Sequence, residues 1–86
     1  MRVIVDEVDG EGLDAFLGKS ITLWCVNYIY TGVLVGLNDT CLKLQDAAIV
    51  YETGSFTEAG WKDAQKLPGK FHYVQLSMIE SFGDIK

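Results

Sequence analysis

The sequence predicts an all-β fold in which a short N-terminal α-helix precedes a strongly bent antiparallel sheet of five strands. Residues 20–51 are rich in β-branched and aromatic residues interrupted by short polar turns, a pattern typical of consecutive strands. Two glycines, Gly32 and Gly36, lie inside one of these strands. Glycines at such positions let a strand bend sharply or let another backbone come close. The pattern therefore indicates a small, bent sheet.

The predicted elements follow one another in a simple order. An N-terminal arm at 1–9 comes first, and Leu13, Phe16 and Leu17 then recur at helical spacing and predict a helix over 11–17. A barrel over 20–82 follows. Its predicted strands are 20–26, 28–37, 41–51, 70–76 and 78–82, with a long loop at about 54–69 before the last two.

Length and composition indicate one domain, spanning 1–86, that associates with itself. A chain of 86 residues buries only about 60% of the surface that its unfolded form exposes. Yet 49% of the residues are hydrophobic and 12% are aromatic, which is more apolar surface than so small a core hides. We therefore expect identical copies to cover part of it.

Charge and cysteine usage narrow the possible partners. The net charge of −5 opposes attraction to nucleic-acid phosphates, which comes mainly from Lys and Arg. The acids concentrate in the first segment, however, while Lys62, Lys66 and Lys70 follow later. If the protein binds nucleic acid, these three lysines are expected to form a phosphate-attracting rim on one face. Cys25 and Cys41 have no CxxC spacing, so we expect buried thiols in a reducing, cytoplasmic compartment. No apolar run is long enough to cross a bilayer.

The sequence offers little for catalysis. It has one histidine, His72, and no nucleophile beside a base or phosphate-cradling loop. A metal site built from His72 and the two cysteines would lack a ligand. We therefore expect no enzymatic activity, no metal and no cofactor.

Residues 30–38 and 42–47 form a glycine-containing strand, a polar turn and a second strand. This segment resembles the first motif of the Sm-like family, which includes the Sm, LSm and Hfq proteins. The preceding helix and the closing stretch fall in matching order, so the resemblance covers roughly 12–82. As a whole, the sequence looks most like small Sm-like proteins of phage and marine origin.

The resemblance implies a five-stranded open barrel that assembles into a closed ring of identical copies. In such a ring, the fourth strand of one copy pairs with the fifth strand of the next, which covers the two open edges of the sheet. The apolar residues expected at this seam are Phe71, Tyr73, Leu76, Met78 and Ile79.

The resemblance also implies binding of single-stranded RNA at the ring pore, in RNA metabolism or regulation. Carried over residue by residue, the expected contacts are Asn38, Asp39, Thr40, Tyr73 and Gln75. The pocket is atypical, since the turn carries no aromatic or histidine platform and 73–75 replaces the usual cationic pair. The alternative is a protein-binding ring scaffold that no longer binds RNA and uses the Trp61 loop or the acidic arm at 1–9.

Overall fold

The computed structural model of the protein describes residues 12–84, so the predicted arm at 1–9 lies outside the described residues. Six strands and two 3₁₀ turns make up this part of the chain. The strands are Ser20–Cys25 (β1), Ile29–Leu37 (β2), Cys41–Glu52 (β3), Asp63–Lys66 (β4), Phe71–Gln75 (β5) and Ile79–Gly83 (β6). The 3₁₀ turns are Leu13–Phe16 and Leu76–Met78.

The expected α-helix is a single 3₁₀ turn, Leu13–Phe16. Leu17 already leaves the helical conformation, with ψ of 125°, and Gly18 follows with φ of +82°. A segment this short cannot offset the cost of nucleating an α-helix. Packing holds it instead, because Leu13 and Phe16 lie against the core, and the ring of Phe16 meets that of Phe82 edge-on at 6.1 Å between centroids. Position 11 of the predicted helix lies outside the described residues.

All strand pairs within residues 12–84 are antiparallel, and the sheet runs in the order β4-β3-β2-β1-β6, with β5 also paired to β3. The all-β prediction is confirmed at this level. Five of the six strands coincide closely with the predicted ones. The sixth, β4, lies within the predicted long loop at 54–69, where no apolar alternation marks it and every residue of the strand is exposed.

Strand β3 accounts for the extra strand, because one of its edges pairs with two partners in turn. Residues 41–45 of β3 pair with β5, whereas residues 48–52 pair with β4. Between these halves, Asp46 has φ of +54°, a left-handed conformation that Asp tolerates better than most residues. Its backbone N–H donates to the carbonyl of Lys70 at 3.1 Å. Strand β4 thereby pairs with the part of this β3 edge that β5 does not reach.

The sheet bends enough to bring its two ends together on one side. Strands β5 and β6 lie at opposite ends of the order β5-β3-β2-β1-β6, yet only the 3₁₀ turn Leu76–Met78 separates them in the chain. The N–H of Val26 donates to the carbonyl of Met78 at 2.9 Å and ties this turn to the end of β1. Irregular register at several points of β1, β2 and β3 favours such bending. The sheet formed by the described residues is not closed, because β5 and β6 do not pair.

The concave face of the sheet carries the core. Alternate residues of the paired strands point to this face, and the large side chains there are fully buried. They are Ile21, Leu23, Leu34, Leu42 and Leu44, with Val74 and Ala47 beside them. The residues that alternate with these on β3 and β5 therefore point to the opposite side of the sheet, which we call the outer face.

Gly32 is a position where two strands come unusually close. A Cβ placed there would lie 3.1 Å from the carbonyl oxygen of Gln45 and 3.3 Å from the Cα of Ala47. These are backbone atoms that cannot move aside alone. At Gly36, by contrast, the nearest atom to an added Cβ is the Cβ of Lys43 at 3.4 Å, an ordinary contact.

We therefore expect Gly32→Ala to lower the free energy of unfolding by about 1–3 kcal/mol, the usual cost of overpacking. Gly36→Ala is the matched control and should change it by less than about 0.5 kcal/mol. Denaturant titration of both variants measures the difference. Equal effects of the two substitutions would contradict the close approach at Gly32.

Candidate functional site

A cleft of about 610 Å³ opens between the turn after β2 and the end of β5. Cys41 and Lys43 on β3 lie opposite Gln75 and Tyr73 on β5. The N–H of Leu76 also donates to the carbonyl of Thr40 at 2.9 Å, which joins the turn to the end of β5. The cleft is lined by Asp39, Thr40, Cys41, Tyr73, Gln75, Leu76 and Ser77.

Four of the five predicted RNA contacts meet in this cleft. Asp39 and Thr40 come from the turn, and Tyr73 and Gln75 come from β5, more than thirty residues later in the sequence. The pairing of β3 with β5 brings the two groups together. The cleft therefore combines a carboxylate, a hydroxyl, a phenol and a primary amide, which are groups suited to hydrogen bonds with base edges.

Asn38, the fifth predicted contact, does not line the cleft and stabilises the turn instead. Its side-chain oxygen accepts hydrogen bonds from the N–H of Thr40 at 2.8 Å and from the N–H of Cys41 at 2.9 Å. It also accepts one from the Thr40 hydroxyl at 3.1 Å. This is the local side-chain-to-backbone bonding that favours Asn in turns. Asn38 thus positions its neighbours.

Tyr73 is the aromatic residue of the cleft, and 58% of its surface is accessible. It sits on the outer face of β5, opposite Lys43, whose ammonium nitrogen lies 5.8 Å from the centroid of its ring. The ring is available for stacking on a planar group. Among the described residues, no lysine or arginine lines the cleft itself.

The three lysines of the predicted rim lie in three different environments. Lys62 forms an exposed ion pair with Glu52, at 3.3 Å between nitrogen and oxygen. Lys66 ends β4, opposite Ala48. Lys70 lies just before β5, and its ammonium nitrogen is 5.4 Å from the ring centroid of Phe71.

Sequence reasoning missed Lys43, whose ammonium nitrogen lies 4.0 Å from the ring centroid of Phe71. It occupies the outer face of β3 between the buried Leu42 and Leu44. Strand alternation predicts that orientation, but the neighbouring aromatic residue comes from the distant strand β5. Only the register between the two strands places the cation beside the ring.

A second cavity, of about 230 Å³, lies between the β1–β2 turn and β5. Its lining includes Cys25, Tyr28 and Tyr30, and the ring of Tyr30 stacks on that of His72 at 5.4 Å. Burial raises the pKa of the Cys25 thiol, and the Glu80 carboxylate raises it further. Burial also raises the pKa of the Tyr30 phenol. Both groups stay protonated at neutral pH, so the Cys25 thiol is a weak nucleophile.

The predicted seam residues divide into two groups. Phe71, Tyr73 and Met78 are exposed, at 41%, 58% and 44% of their surface. Leu76 and Ile79 are half-buried and pack against the core. Only the first group is therefore open to a ligand or to a second copy.

Comparisons with protein-family models, curated proteins and solved structures find no match to this chain.

Cys25 and Cys41 are free thiols. Within residues 12–84, no three His, Cys, Asp or Glu side chains are grouped so that they could hold a metal ion. In the same part of the chain, no helix has the length and apolar character needed to cross a membrane.

We expect Asn38→Ala to lower the free energy of unfolding by about 1–2 kcal/mol, because water only partly replaces the three hydrogen bonds that its oxygen accepts in the turn. Asn38→Asp keeps an acceptor oxygen in the same place and should stay close to the wild-type value. Denaturant titration of the two variants measures this. A wild-type midpoint for Asn38→Ala would rule out the turn-stabilising role.

Proposed function

We propose that this protein is an Sm-like protein that assembles into a closed ring of identical copies and binds single-stranded RNA. The observation that carries the proposal is the pair of unpaired edges at the last two strands of the chain. Within residues 12–84, strands β5 and β6 each have one partner in the sheet, β3 and β1 respectively, and the outer edge of β4 is a third edge left open. Exposed backbone edges of this kind can be covered by pairing with a strand of another chain.

The two edges allow head-to-tail assembly of identical copies. They are different surfaces, so the edge of β5 in one copy pairs with the edge of β6 in the next, and every interface repeats the same rotation. The bent sheet and the three-residue turn Leu76–Met78 set both edges at a fixed angle within one copy. When the rotation from one copy to the next adds up to a full turn, the copies form a closed ring.

The strand order supports the Sm-like assignment. Without β4, the order β6-β1-β2-β3-β5 leaves the last two strands of the chain as the two ends of the sheet, as the family resemblance implies. The short N-terminal turn Leu13–Phe16 packs against the core ahead of the first strand. Strand β4 is then an addition on the far half of β3.

RNA binding is supported by the cleft that contains Asp39, Thr40, Tyr73 and Gln75. An exposed tyrosine beside an amide and a hydroxyl suits an unpaired base, which is stacked on its face and hydrogen-bonded at its edge. The net charge of −5 limits nonspecific attraction to phosphates. Stacking and edge contacts therefore provide most of the proposed affinity.

A protein-binding ring scaffold is the second candidate, and it is favoured by the loop between β3 and β4. Phe56 in this loop is exposed over 58% of its surface, and its ring lies edge-on to Trp24 at 6.0 Å between centroids. Trp61, the aromatic residue predicted to make the contact, is half-buried. A partner would therefore meet Phe56 first.

We expect Met78→Glu to convert the ring to single chains, because it puts a like charge into every interface. Gln65→Glu, on the exposed strand β4, adds the same charge away from the two edges and should leave the ring intact. Light scattering gives the mass of each species. A Met78→Glu variant that keeps the wild-type oligomeric mass would exclude this seam.

We expect the purified oligomer to bind short oligo-U or oligo-A, and Tyr73→Ala to weaken that binding by about 1–3 kcal/mol because a base no longer stacks on the ring. Tyr73→Phe keeps the ring face and should bind like wild type. Fluorescence anisotropy with RNA and with DNA, at low and at physiological salt, measures the affinities. Absence of RNA binding at both salt concentrations would reject the RNA function and leave the scaffold.

A further inference from the structure

The outer face of β5 carries two aromatic rings with two lysines beside them. Phe71 and Tyr73 are two residues apart on β5 and point to the same face. Lys43 lies opposite Tyr73 on β3, and its ammonium nitrogen is 4.0 Å from the Phe71 centroid and 5.8 Å from the Tyr73 centroid. Lys70 approaches Phe71 as well, at 5.4 Å. We call these four residues the outer strip.

The charge of the outer strip is opposite to that of the chain. Two ammonium groups converge on one ring in a protein with a net charge of −5. Within residues 12–84, neither Lys43 nor Lys70 is in an ion pair, whereas Lys62 is paired with Glu52. Lys70 is exposed and Lys43 is half-buried. Contacts of an ammonium group with an aromatic face near the protein surface are weak, so an anionic group can draw both cations away from the ring.

The outer strip continues the cleft. Tyr73 belongs to both, since it lines the cleft and its ring lies beside Lys43. From Tyr73 to Phe71 the distance along the strand is about 7 Å, two residues of β rise. This exceeds the roughly 3.4 Å between stacked nucleotides, so successive bases would be unstacked from each other and each would lie on its own ring.

We propose that the RNA strand bound in the cleft continues over the outer strip, with one base stacked on Tyr73 and the next on Phe71. The ammonium groups of Lys43 and Lys70 then turn from the Phe71 ring to the phosphates on either side of the second base. Rings that accept bases and flanking cations that accept phosphates are the combination that single-stranded nucleic acids require. This inference rests on the proposed RNA function and extends its site by one nucleotide.

Salt dependence tests the phosphate contacts. For single strands, the slope of log affinity against log salt changes by about 0.7 for each phosphate that the protein neutralises. Lys43→Gln and Lys70→Gln should each make the slope shallower by that amount. Lys62→Gln removes the same charge from a residue that is paired with Glu52 and should leave the slope unchanged.

The stacking contact is tested with the same oligonucleotides. Phe71→Ala should weaken RNA binding by about 5- to 150-fold, the range for removal of one stacked base. Phe71→Tyr keeps an aromatic ring at this position and should bind RNA like wild type. Light scattering checks that each variant keeps the oligomeric mass of wild type. Should Phe71→Ala dissociate the ring, the two lysine variants still decide the question.

The outcomes separate this inference from the proposed function. If wild type binds RNA and the slope does not change for Lys43→Gln and Lys70→Gln, the proposed binding at the outer strip is wrong, whereas RNA binding in the cleft still stands. No RNA binding by wild type, or binding of DNA alone, would overturn both. Slopes that become shallower in these two variants but not in Lys62→Gln are the result that we expect.

Discussion

The pairing of β3 with three other strands is the constraint on which the rest of this structure depends. One edge of this twelve-residue strand pairs with β2, and its other edge pairs first with β5 and then with β4. The change of partner takes place at Asp46, where the backbone turns left-handed. Because β5 is held on the first half of β3, its C-terminal end lies beside the turn at Asp39 and Thr40. The cleft and the outer strip both result from this pairing.

The same pairing leaves the protein with surface that a small core cannot cover. The buried side chains occupy the concave face, and Phe71, Tyr73, Met78 and Phe82 remain exposed on the two end strands or the turn between them. An unpaired edge carrying apolar side chains is prone to uncontrolled association unless a specific partner covers it. Assembly into the proposed closed ring would cover the edges of β5 and β6 and part of this apolar surface in one step.

Electrostatics constrain what the proposed ring could bind. A protein with a net charge of −5 has weak nonspecific affinity for nucleic acid, and Asp39 places a further carboxylate in the cleft. The two lysines of the outer strip are concentrated at the Phe71 ring rather than spread around the surface. A ligand would therefore need unpaired bases at the rings and phosphates at the lysines together, which favours a single strand over a duplex.

The sequence by itself determined the strands and the turn, because these depend on neighbours in the chain. Strand-forming residues between polar turns predicted β1, β2, β3, β5 and β6, and the Asn38 turn has local hydrogen bonds that its own sequence specifies. Asp39, Thr40, Tyr73 and Gln75 were likewise chosen from sequence, through the family resemblance. The four of them line one cleft.

Tertiary structure decided the remaining features, because they depend on which strands meet. Packing of Phe16 against Phe82 holds a 3₁₀ turn where helical spacing predicted an α-helix. Strand β4 forms by pairing with the free edge of β3, although its four exposed residues show no alternation of apolar and polar side chains. Lys43 is an ordinary outward strand residue in the sequence, and only the register of β3 against β5 sets its ammonium group over the ring of Phe71. Contacts between strands that are distant in the chain depend on register, which the buried face of the assembled sheet fixes.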